Sequence, residues 1–485
     1  MRFLSVARIL FCISMVFGTS YPSDISHNAL KACEYSQSNN ERYLKGYMEF
    51  LRIATISTDP TYRKDIQKGA EFIVQEMARI GMENGRIIQT EGCPAVYGEW
   101  LNAGEDRPTI LIYAHYDVQP TDPLGLWVSP PFQPAIRENR LYARGVADNK
   151  QGVYFNLKAI ESIFKTAGSL PLNIKLFFEG EEESGSPSAK AFLRQHRDLL
   201  KADLIMLCDG GSIGENPSII SSTRGIVLAE VAVTGPKKDL HSGVYGGIVH
   251  NPIHMVSEII AAMHDSSGDI KIPGFYDAVR PLEKEDDAAM KETEEARKQE
   301  LYETSGISHF WGVPQYSVME RASAQPTCDV NGIYGGYRGE GNKTIIPSQA
   351  GFKVSMRLVE AQDPDDIGKK FADFIRGFET NTVDIQLVLG PGSPPCQLLT
   401  QGPVMDAVNR AYEKVCGKKP MIIRQGGSVP IMGLLKKELG IPVVNVGLGS
   451  GGNGHSPNEY FELGSFQMGI KLAIHVYYYL SALSL

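Results

Sequence analysis

The sequence predicts an α/β protein: a mostly parallel sheet flanked by helices, interrupted by an inserted α+β domain. Three observations predict it. Strand-like apolar runs alternate with helical periodicity up to about Arg224 and again after Pro403. Between these stretches the strands change character and alternate apolar with polar residues, as in a sheet covered on one face only. Four apolar runs end in, or run into, a residue able to bind a metal, which places a site along the carboxyl edge of the parallel sheet.

In chain order, the first twenty residues read as a secretory signal. Arg2 and Arg8 supply the positive start, IleLeuPheCysIleSerMetValPhe the short apolar core, and Gly18 and Ser20 the small residues before cleavage near Tyr21. The apolar run is shorter than the ~20 residues a membrane-spanning helix needs. The expectation is export to a periplasm or extracellular space, with no membrane contact after cleavage. Residues 41–80 carry helical spacing in Tyr43, Tyr47, Leu51, Ala70, Ile73, Val74 and Met77. Residues 109–114 form the first strand that stops at a ligand type, His115. A turn, GlyValAlaAspAsnLys, then presents Asp148 ahead of a helix over 151–166. IleLysLeuPhePhe runs into a cluster of carboxylates at 179–183, a helix follows over 188–200, and AspLeuIleMetLeuCys ends at Asp209.

After Arg224 come the alternating strands GlyIleValLeuAlaGluValAlaValThr and PheLysValSerMetArgLeuVal. Residues 285–303, dense in Glu, Lys and Ala, predict a solvated helix whose charge serves surface solubility. IleProValValAsnValGlyLeu then runs into a glycine-rich turn with His455, and a last helix starts near Phe466. The expected domains are a signal at 1–20, a first catalytic part at 21–224, an inserted domain at 225–400 that hangs over the site as a lid, and a second catalytic part at 401–485.

A chain of 485 residues exceeds one ordinary core, and 42% hydrophobic with 21% charged residues is globular composition. A net charge of −8 disfavours a nucleic-acid partner. Cys12 falls in the signal, and Cys33, Cys93, Cys208, Cys328, Cys396 and Cys416 show no CxxC pair, which excludes a structural zinc finger. Cys208 continues an apolar run and reads as a buried thiol.

One His, two Asp, a Glu cluster and a second His at one sheet edge suit two divalent cations. In HisTyrAspValGlnPro, His115 and Asp117 share a face of an extended strand end, and a metal-bound imidazole usually donates its other N–H to a carboxylate. In GluGlyGluGluGluSerGly, four carboxylates within five residues repel unless cations or protons compensate them. One of them can bind metal while its neighbour acts as general base toward water.

These motifs in this order, with CysAspGly, AspLeuHisSerGly and the late GlyHisSer, resemble the M20 metallopeptidases, most closely the carnosine-type, non-specific dipeptidase branch. The resemblance covers nearly all of the mature chain. It implies a di-metal catalytic domain with an inserted lid and dimerisation domain. Asp148 would bridge the two metals, His115 and Asp209 would complete one ligand set, and Glu183 with His455 the other. Asp117 would orient His115, and Glu182 would be the general base. His241 would reach the partner subunit's site in a homodimer and polarise the scissile carbonyl. Arg357 would clamp the substrate's terminal carboxylate, with Thr344 and Ser428 as further substrate contacts. The Asp148–Asn149 bond would be cis. The implied activity is hydrolysis of short peptides, most of all dipeptides, with zinc, or else manganese or cobalt, as the ions. An N-acyl-amino-acid deacylase or desuccinylase would use the same site.

The chain also departs from that branch. Glu181 stands where an apolar residue is common, residues 390–397 lack a His, and Gln425 replaces an acidic residue. GlyTyrArgGlyGluGlyAsnLysThr mimics a phosphate-binding loop, but Asn342 separates the last Gly from Lys343 and Pro347 spoils the helix that must follow. Asn342 also opens a glycosylation sequon, expected to stay unmodified within a substrate loop.

Overall fold

The computed structural model describes residues 23–213, 216–390 and 392–485; the expected signal at 1–20 lies outside them. Helices α1 (Ser23–Ser38), α2 (Asn40–Leu51) and α3 (Arg63–Ile80) open the chain. The helical stretch expected over 41–80 is broken in the middle, where Asp59 accepts the Thr61 N–H ahead of Pro60. Proline has no N–H to extend the preceding helix, and its fixed φ starts a new turn. Helix α4 (Lys150–Ala167) forms as expected, capped by Asn149, whose Oδ1 accepts the Gly152 N–H. The helix expected at 188–200 is shorter, α5 (Ala189–Gln195). Beyond His196 the chain continues in turns, with the Leu200 N–H on His196 O at 3.0 Å; aspartate, here Asp198, is a poor helix former.

The strands, in chain order, are β1 (Glu83–Ile88), β2 (Ala95–Trp100), β3 (Thr109–His115), β4 (Asn173–Glu179) and β5 (Leu204–Leu207). Next come β6 (Gly225–Thr234), β7 (Thr327–Gly335), β8 (Gln349–Leu358) and β9 (Asp384–Leu389), and then β10 (Val443–Asn445), these ten making the two sheets that carry the cores. The first sheet has the order β1-β2-β4-β3-β5-β10. Its last four strands are mutually parallel, while β1 and β2 form an antiparallel edge. Period-two alternation sends Ile110, Ile112 and Ala114 into a core with α2, α3 and α4, and Leu111 and Tyr113 into a second core with Phe192 and Ile431. Both faces are covered, which explains the near-continuous apolar runs. The parallel strands deliver His115 and Glu179 side by side in register.

The inserted sheet, of order β7-β8-β6-β9, is antiparallel throughout. One face carries Val227, Val231, Phe352, Val354 and Met356 against α6 (Pro252–Ala262) and α8 (Pro364–Arg376). On the other face Leu228 stays exposed, as the alternation predicts. Helix α7 (Lys284–Ser305) forms where its composition predicts, yet it is not solvated all round. Met290 and Thr293 are buried, and Asp286 pairs with Arg424 on the strand Met421–Gln425. Helices α9 (Pro403–Cys416) and α10 (Leu463–Leu480) return the chain to the first core.

The six cysteines of the described residues are free thiols, and Cys208 is buried. The phosphate-loop mimic is followed by the short strand Ile345–Ile346, not by a helix. No helix among the described residues is long and apolar enough to cross a membrane.

Candidate metal centre

Five expected ligands converge beyond the carboxyl ends of the parallel strands. His115, Asp148 and Asp209 form one group, and Asp148, Glu183 and His455 another; within each, the ligand atoms lie within 4.8 Å of one another. Asp148 belongs to both. Its Oδ1 lies 3.3 Å from His115 Nε2, and its Oδ2 lies 3.1 Å from His455 Nε2. His455 Nε2 is also 3.2 Å from Glu183 Oε2. Tetrahedral ligands each about 2.1 Å from a zinc ion lie about 3.4 Å apart, so the spacing suits shared ions. Two buried atoms, His115 Nε2 and Glu183 Oε1, make no hydrogen bond of proper geometry, Nε2 meeting only the Asp148 carboxylate as a 3.3 Å ion-pair contact. Buried polar atoms are ordinarily satisfied, and both orphans belong to the group a cation would join. The residues therefore fit a pair of divalent cations.

The electrostatics agree. Burial opposes the Asp148 carboxylate, but the imidazoles of His115 and His455 hold it below the usual range. The carboxylates of Asp148 and Glu183 push His455 up to about 10. Burial works against a charge on His115, yet Asp117 and Asp148 raise it well above the ordinary imidazole value. Burial and the nearby Asp148 push Asp209 up to about 6. Carboxylates and imidazoles packed this closely are a charge arrangement that divalent cations would compensate.

The Glu cluster divides its labour. Glu179 is buried and accepts the Tyr113 hydroxyl at 2.6 Å. Glu181 is buried and turned away from the ligands, accepting the Cys93 N–H at 2.8 Å and the Ser188 N–H at 2.7 Å. Gly92 is required beside it, since a Cβ there would meet Glu181 Oε2 at 2.0 Å. Glu183 joins the ligand group, and Gln119 Nε2 donates to its Oε2 at 2.8 Å. Glu182 is pushed well above the carboxylate range, by burial first and then by Asp209, Glu183 and Asp117, with His115 opposing. Its carboxyl therefore feels the ligand group directly.

Asp117, fully buried, lies 3.3 Å from His115 Nδ1 and also accepts the N–H groups of Glu182 and Glu183. The Asp148–Asn149 bond is cis. Asn149 ties this turn to β5 through Nδ2 on Cys208 O at 2.9 Å.

The remaining candidates lie in two groups. Arg357 leaves β8 between buried Met356 and Leu358, and its Nη1 donates to Ser428 Oγ at 2.6 Å. His241 is exposed, its Nδ1 accepting the Gly243 N–H at 3.0 Å, and it pairs in register with Ile345 next to Thr344. Among the described residues, no hydrogen bond or ion pair links either group to the metal ligands.

Several supporting residues escape sequence reasoning. Glu459 and Arg144 form a buried ion pair beneath the Asp148 turn. Asn445 donates to Asp209 O and accepts the Ile220 N–H at 2.9 Å. Arg224 donates to Gly426 O at 2.6 Å and Gln325 O at 3.2 Å, beside Arg357. Single charged or amide residues bonded to backbone leave no periodic signal.

Comparisons with known proteins agree with the geometry. Residues 111–478 match the profile of "Peptidase family M20/M25/M40". The "Cys-Gly metallodipeptidase DUG1" of Candida albicans is 29% identical over 466 residues, spanning 90% of this chain and 94% of that protein. The "Beta-Ala-His dipeptidase" of Homo sapiens is 27% identical over 462 residues, spanning 91% and 90%. Among solved structures, the M20 family metallo-carboxypeptidase Sso-CP2 from Sulfolobus solfataricus superposes with a TM-score of 0.81 at 31% identity, covering 91% of this chain and 99% of that one.

Proposed function

The chain belongs to peptidase family M20/M25/M40, and from that premise we propose that it is a two-metal exopeptidase that cleaves short peptides, dipeptides above all. One observation carries the proposal: the two carboxylate oxygens of Asp148 face two different imidazoles, those of His115 and His455. A lone metal site needs no such shared carboxylate. The relatives' names, a Cys-Gly metallodipeptidase and a Beta-Ala-His dipeptidase, support dipeptides as the substrate class.

His115, Asp148 and Asp209 would hold one ion and Asp148, Glu183 and His455 the other, with zinc the first choice and manganese or cobalt also suited to the donors. Such a pair supplies an activated water and polarises the peptide carbonyl. Glu182 would take the proton from the attacking water and return it to the leaving amine. Arg357, steadied by Ser428, would bind the terminal carboxylate through its planar fork. In a homodimer, His241 would serve the partner subunit's site together with Thr344. His241 is exposed and its Nδ1 accepts the Gly243 N–H, so Nε2 is the ring nitrogen it would offer. The domain division at 225 and 400 would make the insert both lid and dimerisation surface, and a cleaved signal at 1–20 would export the enzyme.

The test is to purify the mature chain from Tyr21, measure bound metal and assay a dipeptide panel with zinc or manganese, alongside N-acetyl and N-succinyl amino acids. Two metals per chain and chelator-sensitive dipeptide cleavage are expected. Turnover of the acylated amino acids alone would replace dipeptidase with deacylase, and failure to bind metal under any loading would reject the site.

A further inference from the structure

Asp148 and His455 sit on loops far apart in sequence, and one buried carboxylate joins those loops. Glu459 is wholly inaccessible to solvent. Its Oε2 accepts Arg144 Nη1 and the Gly145 N–H, both at 2.8 Å. Its Oε1 accepts the Ala147 N–H at 2.8 Å and the Asp148 N–H at 3.0 Å. Arg144, buried as well, extends the tie by donating from Nη2 to Pro120 O at 3.1 Å. Three loops therefore meet on one ion pair: the one after His115, the one holding Asp148 and the one holding His455.

Resting on the two-metal reading above, we infer that Glu459 is a positioning residue for the metal pair. It touches no ion. It fixes the backbone of the shared ligand Asp148 and, four residues beyond His455, sets the distance between those two ligands. A buried Arg–Glu pair is a poor device for stability alone, since apolar residues of similar volume often serve as well or better. What this pair provides instead is direction: every bond the Glu459 carboxylate accepts comes from residues 144–148, the Asp148 N–H among them. Support for ligands of this kind commonly governs metal affinity.

Glu459→Gln keeps the shape but turns one acceptor oxygen into an amide N–H facing two donors. Competition with a chromophoric chelator, using Zn²⁺ alone, reads the affinity of the full mature chain and of the variant. Circular dichroism and thermal unfolding of the metal-free forms are recorded alongside. Zinc affinity should fall about 10–100-fold. The core variant Ile474→Val, which also costs stability, should leave affinity as it was. A Glu459→Gln chain of unchanged affinity overturns the inference, whatever its melting temperature. If that variant fails to fold, Arg144→Lys carries the test: it keeps the charge but cannot hold Glu459 and Pro120 O together. A several-fold weaker affinity supports the inference, and an unchanged one overturns it. A parent chain that binds no zinc sinks the two-metal reading and this inference with it. A parent that binds zinc without cleaving dipeptides sinks the proposed reaction only, and the Glu459 comparison still decides.

Discussion

Asp117 holds Glu183 by the backbone: its Oδ2 accepts the Glu183 N–H at 3.0 Å. The other oxygen lies 3.3 Å from His115 Nδ1 and takes the Glu182 N–H at 3.2 Å. Asp117 therefore lies against both an imidazole at the end of β3, whose Nδ1 also meets the Asp117 carbonyl oxygen at 3.2 Å, and the turn after β4.

Asp117→Asn should therefore weaken both groups at once. The amide loses an acceptor and presents N–H to one of the three donors around it. Zinc affinity should fall about 10–100-fold, measured by chelator competition. Retention of two tightly bound ions would remove Asp117 from this role.

Glu182→Gln should keep its metal and its fold while kcat drops by about 10²–10⁴-fold. Metal content and dipeptide turnover on the same preparation check this. Near-normal turnover would require another base, and Glu181 is not available, being committed to the N–H groups of Cys93 and Ser188.

Arg357→Lys should raise KM for dipeptides by about tenfold, because an ammonium cannot reproduce the two-pronged grip of a guanidinium. The variant should also lose the parent's preference for a dipeptide over its C-terminal amide. If that preference persists, Arg357 does not bind the terminal carboxylate. Ser428→Ala should move KM in the same direction by less, since Ser428 Oγ steadies Arg357 Nη1.

His475, buried in α10, is held down to about 4, by burial first and then by the charges of Lys414 and Lys471. An unfolded imidazole titrates near 6.5. Between those values the unfolded chain binds the extra proton, so stability rises with pH across this window and is lost as pH falls through it. The loss on the acid side should reach roughly 3 kcal/mol. His475→Phe should flatten that part of the profile, as read by urea unfolding at several pH values. A slope equal to the parent's would contradict the assignment.

Much of the site was legible because a strand buried on both faces is a continuous apolar run, and its end is marked by the first polar residue. His115, Glu179 and Asp209 were found that way, and the structure places them at the expected sheet edge. The alternation of β6 and β8 likewise marked a sheet with one covered face. The resemblance marked Glu183 as a ligand, and the structure groups it with Asp148 and His455; the bonds of Glu179 to Tyr113 and of Glu181 to Cys93 and Ser188 were not legible, since they depend on the turn after β4. Nor was the Asp286–Arg424 pair, which buries one side of a helix whose composition reads as surface. Contacts between distant segments follow no period, and only the folded chain brings them together.

The pairing of β10 with β5 also bears on how the chain is made. Ribosomes release β1–β5 first, and the outer edge of β5 then waits unpaired while the whole insert is translated. An open edge of this kind is a template for strands of other chains. The insert has a core of its own and can fold during the wait, but it cannot relieve that edge. The interval between emergence of Leu207 and of Val443 is thus the period in which a nascent copy is most exposed to pairing with its neighbours, and in which a chaperone bound at β5 would do the most good.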